Sequence, residues 1–207
     1  MSELERIFCE TDEFLNDIKL PHFIHGSTLL GVVRNKRILD REIEAMSPLD
    51  KEHNFGCYYE DLTTEMMEAM YRRYGLVRKV DGHWPHTLIF FGDKPIKDPV
   101  TELEDNLWNI PNGFTLLACF HKGKTLAVED MSENRALTWP IEYLDHPRYW
   151  GNVEILGRTI HTPRRTMEWL DHYFGRDWVI ERKHWHWSQD SHNLEEMTEL
   201  IKRGEVS

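Results

Sequence analysis

At 207 residues, 40% hydrophobic and 12% aromatic, the chain can bury a sizeable core, and these numbers exclude a disordered polymer. Thirty-six acidic against 25 basic residues leave a formal charge of −11, which excludes a general nucleic-acid binder, since such a protein needs a basic face against the phosphates. Cys9, Cys57 and Cys119 are odd in number, widely spaced and form no CxxC, so they predict buried thiols in a reducing compartment rather than a disulfide scaffold or a zinc knuckle.

In chain order, Leu4, Ile7, Phe8, Phe14, Leu15 and Ile18 recur at helical spacing over 3–18, and Pro21 ends that helix. The acidic start MSELERIFCETDEF lacks the basic-then-apolar plan of a signal peptide. No apolar run approaches the ~20 residues that span a bilayer, so a cytoplasmic protein without a membrane span is expected. HFIHG (22–26) predicts a short strand, Gly26-Ser27 a turn with Ser27 as N-cap, and TLLGVVRNK (28–36) a short helix. Arg34 and Lys36 sit late in it, where cations complement the negative helix end. ILDREIEAM (38–46) alternates too strictly for a helix and predicts a strand with one acidic face.

DLTTEMMEAMYRRYG (61–75) predicts a helix with Leu62, Met66, Met70 and Tyr74 on one side and Gly75 at its close. LVRKV and HTLIFFG predict strands joined by a turn at Asp81-Gly82. FTLLACF and KTLAVED predict two more around a turn at Lys122-Gly123. PRRTMEWLDHYFG (163–175) predicts a helix opening with Pro163 and closing with Gly175, and NLEEMTELIKRG (193–204) the last helix. Without repeats, low-complexity tracts or linkers, one α+β domain over 1–207 is the economical expectation.

On a strand, Asp40, Glu42 and Glu44 point to one face as a ladder of three negative charges, which repel one another. Two settings tolerate such a ladder. One is an edge strand whose acids face water or pair with Lys36, Arg37 and Arg41. The other is a hard cation such as Mg²⁺, held by carboxylate oxygens and shared with substrate phosphates. The preceding turn weighs toward the cation. Gly26 admits a phosphate to the backbone without a side-chain clash, and a helix start beside Ser27 offers N–H groups and a hydroxyl.

Gly26-Ser27 followed by Glu42-Ile43-Glu44 resembles the signature of the nucleotidyltransferase-fold superfamily. Within it, the run Ser27, Thr28, Leu29, Leu30, Gly31 and Arg34, with Asp40, Glu42 and Glu44 at the acidic positions, is similar to the LicD/fukutin-related family. A second block, NVEILGRTIHTPRRTMEWLDHYFGRDW with Phe174-Gly175 and Trp178 at its end, resembles the C-terminal half of that family, and WPIEYLD its lead-in. The likeness spans roughly residues 20 to 180 as two blocks in the family's order. Glutamates stand where the family typically has aspartates. The third acid expected on a later strand is not found in FTLLACF, leaving Asp93, Glu129 and Asp130 as alternatives.

The resemblance implies a nucleotidyltransferase-like mixed β-sheet flanked by helices. It also implies transfer of a phospho-substituent, such as phosphocholine or a polyol phosphate, from a CDP-activated donor to a sugar or glycan hydroxyl. Catalysis would fall to Asp40, Glu42 and Glu44, with Mg²⁺ or Mn²⁺ on Glu42 and Glu44. Gly26, Ser27, Thr28 and Arg34 would bind substrate, although for Arg34 an ion pair with a neighbouring acid is an equal alternative. Two rivals remain open: a nucleotidyltransferase acting on another acceptor, and a catalytically silent binding module of the same fold. His83 and His86 in HWPH, and His184 and His186 in HWHW, read as surface or acceptor-pocket histidines ahead of a zinc site. The Trp-rich tail reads as a packed cluster ahead of a sugar-stacking platform.

Overall fold

The computed structural model describes residues 1–36, 52–74, 76–80, 88–91, 114–132, 134–180 and 190–205. The expected acidic strand at 38–46, with Asp40, Glu42 and Glu44, lies outside the described residues. So do Gly75, the turn at Asp81-Gly82, Asp93, and the four histidines of HWPH and HWHW.

Helix α1 (Glu3–Asp17) opens with a reciprocal cap. Ser2 Oγ accepts from the Glu5 N–H at 3.2 Å, and the Glu5 carboxylate accepts from the Ser2 N–H at 2.7 Å. It ends in a Schellman turn at Lys19, φ 61°, where the Leu20 N–H reaches the Leu15 carbonyl at 3.0 Å. Its apolar face stacks Phe8 on Phe55 with ring centroids 5.4 Å apart. His22 then ties the chain back to α1: its Nε2 lies 3.1 Å from Asp12 Oδ1 and its Nδ1 2.8 Å from the Leu20 carbonyl.

Strand β1 (Phe23–Ile24) leads into α2 (Gly26–Asn35), which buries Leu29, Leu30 and Val32. Strand β2 (Glu52–Tyr58) follows, then α3 (Thr64–Tyr74), whose Met70 is buried with Met66 and Tyr74 packed nearby, as the helical spacing predicts. Strands β3 (Leu76–Val80) and β4 (Leu88–Phe91) pair antiparallel. Strand β5 (Phe114–Lys122) lies parallel to β2 on one side and antiparallel to β4 on the other. The last two residues of β5 pair with β6 (Leu126–Ser132), and β6 pairs with β7 (Arg135–Pro140). After α4 (Ile141–Leu144) comes a separate hairpin of β8 (Gly151–Ile155) and β9 (Arg158–Thr162). Helix α5 (Thr166–Phe174), β10 (Leu194–Glu196) and α6 (Met197–Lys202) complete the described chain.

Along the sheet the order is β1–β2–β5–β6–β7–β10, with β4 and then β3 attached to β5. Because β2 and β5 run parallel while the other pairs are antiparallel, the sheet is mixed. A mixed sheet flanked by helices is the α+β class the sequence predicts. Its core is aromatic: Phe8, Phe23, Phe55, Phe120, Trp139 and Trp169 are fully buried, each contributing roughly 2–3 kcal/mol of apolar burial. Trp139 of β7 and Trp169 of α5 stack at 4.3 Å with planes 6° apart, joining sheet to helix.

Two expected boundaries move. The 163–175 helix begins at Thr166, because the Thr166 hydroxyl donates to the Pro163 carbonyl at 2.8 Å and holds Pro163 to Arg165 in the turn before it. The last predicted helix is half strand: Leu194–Glu196 pairs with β7, and Met197 opens the helix. All three cysteines are free and buried. No helix among the described residues is long and apolar enough to cross a membrane.

Candidate functional site

The turn that opens α2 is built by two elements far apart in sequence. Gly26 has φ +54°, a left-handed conformation that side chains rarely adopt, and a Cβ there would lie 3.3 Å from Asn54 Cγ. Asn54, on β2, bonds three residues of the turn. Its carbonyl accepts from the His25 N–H at 2.9 Å, its N–H donates to Thr28 Oγ1 at 2.8 Å, and its Nδ2 donates to Ser27 Oγ at 3.0 Å. Thr28 is buried and Ser27 half-buried.

This corrects the expected cap. The N-cap of α2 is His25, which makes no side-chain cap bond, and Ser27 sits inside the first turn. Its hydroxyl is therefore not used on the helix's own N–H groups. Those first-turn groups face the same side as the positive end of the helix dipole. Behind them the His25 ring is walled by Phe120, Trp139, Trp169 and Tyr173, at centroid distances of 5.1 to 6.0 Å. A turn held by Asn54 in front and by aromatic packing behind has little freedom to adapt to a ligand.

The two sequence blocks meet at α2. Trp169 and Tyr173 of the second block supply half of the His25 wall. Arg34 donates from Nε to Asn35 Oδ1 at 2.8 Å and from Nη1 to the Trp178 carbonyl at 3.4 Å. Trp178 is itself anchored, its Nε1 donating to Asp171 Oδ1 at 2.7 Å, and Gly175 takes φ +84° where α5 ends. Gly26, Ser27 and Thr28 thus cluster, while Arg34 lies near the other end of a ten-residue helix, ~12 Å along its axis from Gly26.

Asp40, Glu42 and Glu44 lie outside the described residues, and so does Asp93. Glu129 and Asp130 are on β6, in register with Leu137 and Ala136. Among the described residues no group of three or more His, Cys, Asp and Glu side chains could hold a metal ion. Around Ser27 the described groups are hydroxyls, N–H donors and the neutral Asn54 carboxamide, which suit phosphate oxygens better than a hard cation. Metal ligands there would have to come from carboxylates elsewhere in the chain.

Asn54 is the residue that sequence reasoning missed. His53 beside it is fully buried, its Nε2 donating to the Leu4 carbonyl at 2.8 Å, and burial pushes the ring down to about 4. That bond pins the start of β2 to α1 one residue before Asn54.

No family model matches the chain, and no curated protein matches it. Among solved structures, a lincosamide antibiotic adenylyltransferase, LnuA, with lincomycin bound, is similar over 84% of this chain and 95% of its own, at 9% identity and a TM-score of 0.47. No residue role is carried over from it.

Proposed function

We propose that this chain is a divalent-metal-dependent transferase that moves a phospho-substituent from a CDP-activated donor to a sugar or glycan hydroxyl. The observation that carries this reading is the Gly26–Thr28 turn, held rigid against β2 by Asn54 with its first-turn N–H groups uncapped by any side chain of its own helix. The likeness of the two motif blocks to the LicD/fukutin-related family supports it, and the packing of Trp169 and Tyr173 against His25 brings those blocks together.

The N–H groups of the turn and the Ser27 hydroxyl would seat a donor phosphate, with Gly26 allowing close approach. The chain bearing Asp40, Glu42 and Glu44 leaves from Lys36 and returns at Glu52, two residues before Asn54. Eight positions separate Glu44 from Glu52, a reach of up to ~27 Å, so those carboxylates can come beside the turn. Glu42 and Glu44, with Asp40 next to them, would hold Mg²⁺ or Mn²⁺. When bound, the ion neutralises charge on the donor phosphates. One of the three carboxylates would take the proton of the acceptor hydroxyl as its oxygen bonds to the donor's outer phosphorus, the pyrophosphate P–O bond breaks and CMP leaves. Arg34, joined to Trp178, would brace the helix rather than touch substrate.

The test is incubation of the full chain with Mg²⁺, glycan acceptors and either CDP-choline, CDP-glycerol, CDP-ribitol, ATP or CTP, followed by mass spectrometry. A phospho-substituted acceptor is the expected product. A nucleotidylated acceptor would replace this reading with nucleotidyl transfer, and absence of product and of nucleotide binding would leave a binding module.

A further inference from the structure

We infer that Asn54 is a positioning residue that sets the hydrogen-bonding polarity of Ser27, turning its hydroxyl into a donor aimed at an anionic oxygen. The inference rests on the proposed reading of the Gly26–Thr28 turn. A serine hydroxyl has one proton to give and lone pairs to receive. Asn54 Nδ2 fills a lone pair of Ser27 Oγ at 3.0 Å, so the contact consumes acceptor capacity and leaves the proton unspent. Among the described residues that proton has no acceptor.

The orientation of the carboxamide decides this polarity, and it places Nδ2 on Ser27 Oγ. A flipped Asn54 would face Ser27 with Oδ1, accept the hydroxyl proton and expose lone pairs, which would repel a phosphate. The rest of Asn54 is held by the turn itself, through its carbonyl on the His25 N–H and its N–H on Thr28 Oγ1. Asn54 is 8% exposed, so water competes little with its side-chain contact. The same strand that fixes the turn therefore also leaves the Ser27 proton to be donated. An aspartate at 54 is nearly isosteric yet can only accept from Ser27 when ionised, reversing the polarity and adding a negative charge beside the seat.

The experiment is calorimetric titration of the full chain with CDP in the presence of Mg²⁺, with thermal melts of every variant. Wild type is expected to bind. Asn54→Asp is expected to bind about tenfold more weakly, and in a Ser27→Ala background the loss should shrink to roughly threefold, the part owed to the added charge alone. Asn54→Ala keeps the two backbone bonds, so it serves if the aspartate variant does not fold; a loss of roughly threefold that again depends on Ser27 is expected. Equal losses with and without Ser27, or unchanged binding in both variants, would overturn the role of Asn54 while leaving the nucleotide reading standing. Failure of wild type to bind CDP at all would remove that reading, and this inference with it.

Discussion

The Arg34 guanidinium donates to the main-chain carbonyl of Trp178, 144 positions later in the chain. The bond closes the end of α2 onto the turn that follows α5, and Trp178 is 5% exposed, so the contact is sheltered. Arg34→Ala removes it together with the packing of a half-buried aliphatic stem, and should cost about 1–2 kcal/mol in a denaturant titration. Tryptophan emission should shift as Trp178 loosens. If Arg34→Ala instead kept full stability but abolished donor binding, the residue would be a substrate contact rather than a brace.

Turnover should depend steeply on the acidic residues and on metal. Glu42→Gln and Glu44→Gln remove charge with little change in volume, and each is expected to lower kcat by about 100-fold or more with unchanged thermal melts. Chelation with EDTA should abolish turnover, and added Mg²⁺ or Mn²⁺ should restore it. Ser27→Ala should cost roughly tenfold, less than either glutamate, because the first-turn N–H groups remain. Full turnover in both glutamine variants would remove these side chains from the chemistry.

Much of this fold is written in local pattern. The spacing of Leu4, Ile7, Phe8, Phe14 and Leu15 describes α1, and that of Met66, Met70 and Tyr74 describes α3. Strand β2 escapes such reading because EHNFGCY interleaves polar residues with its apolar ones. His53 and Asn54 are buried there only because Leu4, Ser27, Thr28 and His25, all distant in sequence, satisfy them. NLEEMTELIK carries helical spacing throughout, yet Asn193 Nδ2 donates to the Thr138 carbonyl at 2.8 Å, and Leu194 to Glu196 are drawn onto the open edge of β7. For the site, Gly26 and Ser27 are legible from turn chemistry. Asn54 is not, since nothing near it in sequence marks it out.

Acid should destabilise the protein through His53. Burial holds this ring neutral down to about 4, against 6.5 for an exposed imidazole. Above pH 6.5 neither state carries the proton and the full stability is present. As pH falls from 6.5 toward 4 the unfolded chain takes up a proton that the folded chain refuses, so stability falls, by about 3 kcal/mol in total. His121, also pushed down to about 4 by burial, adds to the loss in the same window. His53→Gln retains a donor for the Leu4 carbonyl but does not titrate. Urea midpoints measured between pH 7 and 4 should decline less steeply for this variant than for wild type; parallel curves would show that His53 is not a source of the acid sensitivity.

The β8–β9 hairpin carries a strain that can be relieved. Ile155 and Arg158 pair across it, leaving Leu156 and Gly157 as a two-residue loop, and both have positive φ, 53° and 74°. That is the type I′ pattern, which matches the twist of the strands and favours Asn-Gly. Glycine meets the requirement at the second position. Leucine at the first does not: a left-handed conformation costs an ordinary side chain about 1–2 kcal/mol, and Leu156, 38% exposed, recovers only part of that by burial. Leu156→Asn should therefore stabilise the protein by about 1 kcal/mol and raise the melting temperature by roughly 2–4 °C. Leu156→Val, β-branched and worse suited to positive φ, should lower it. If both variants melted below wild type, Leu156 would owe its place to apolar contact rather than tolerating a strained turn.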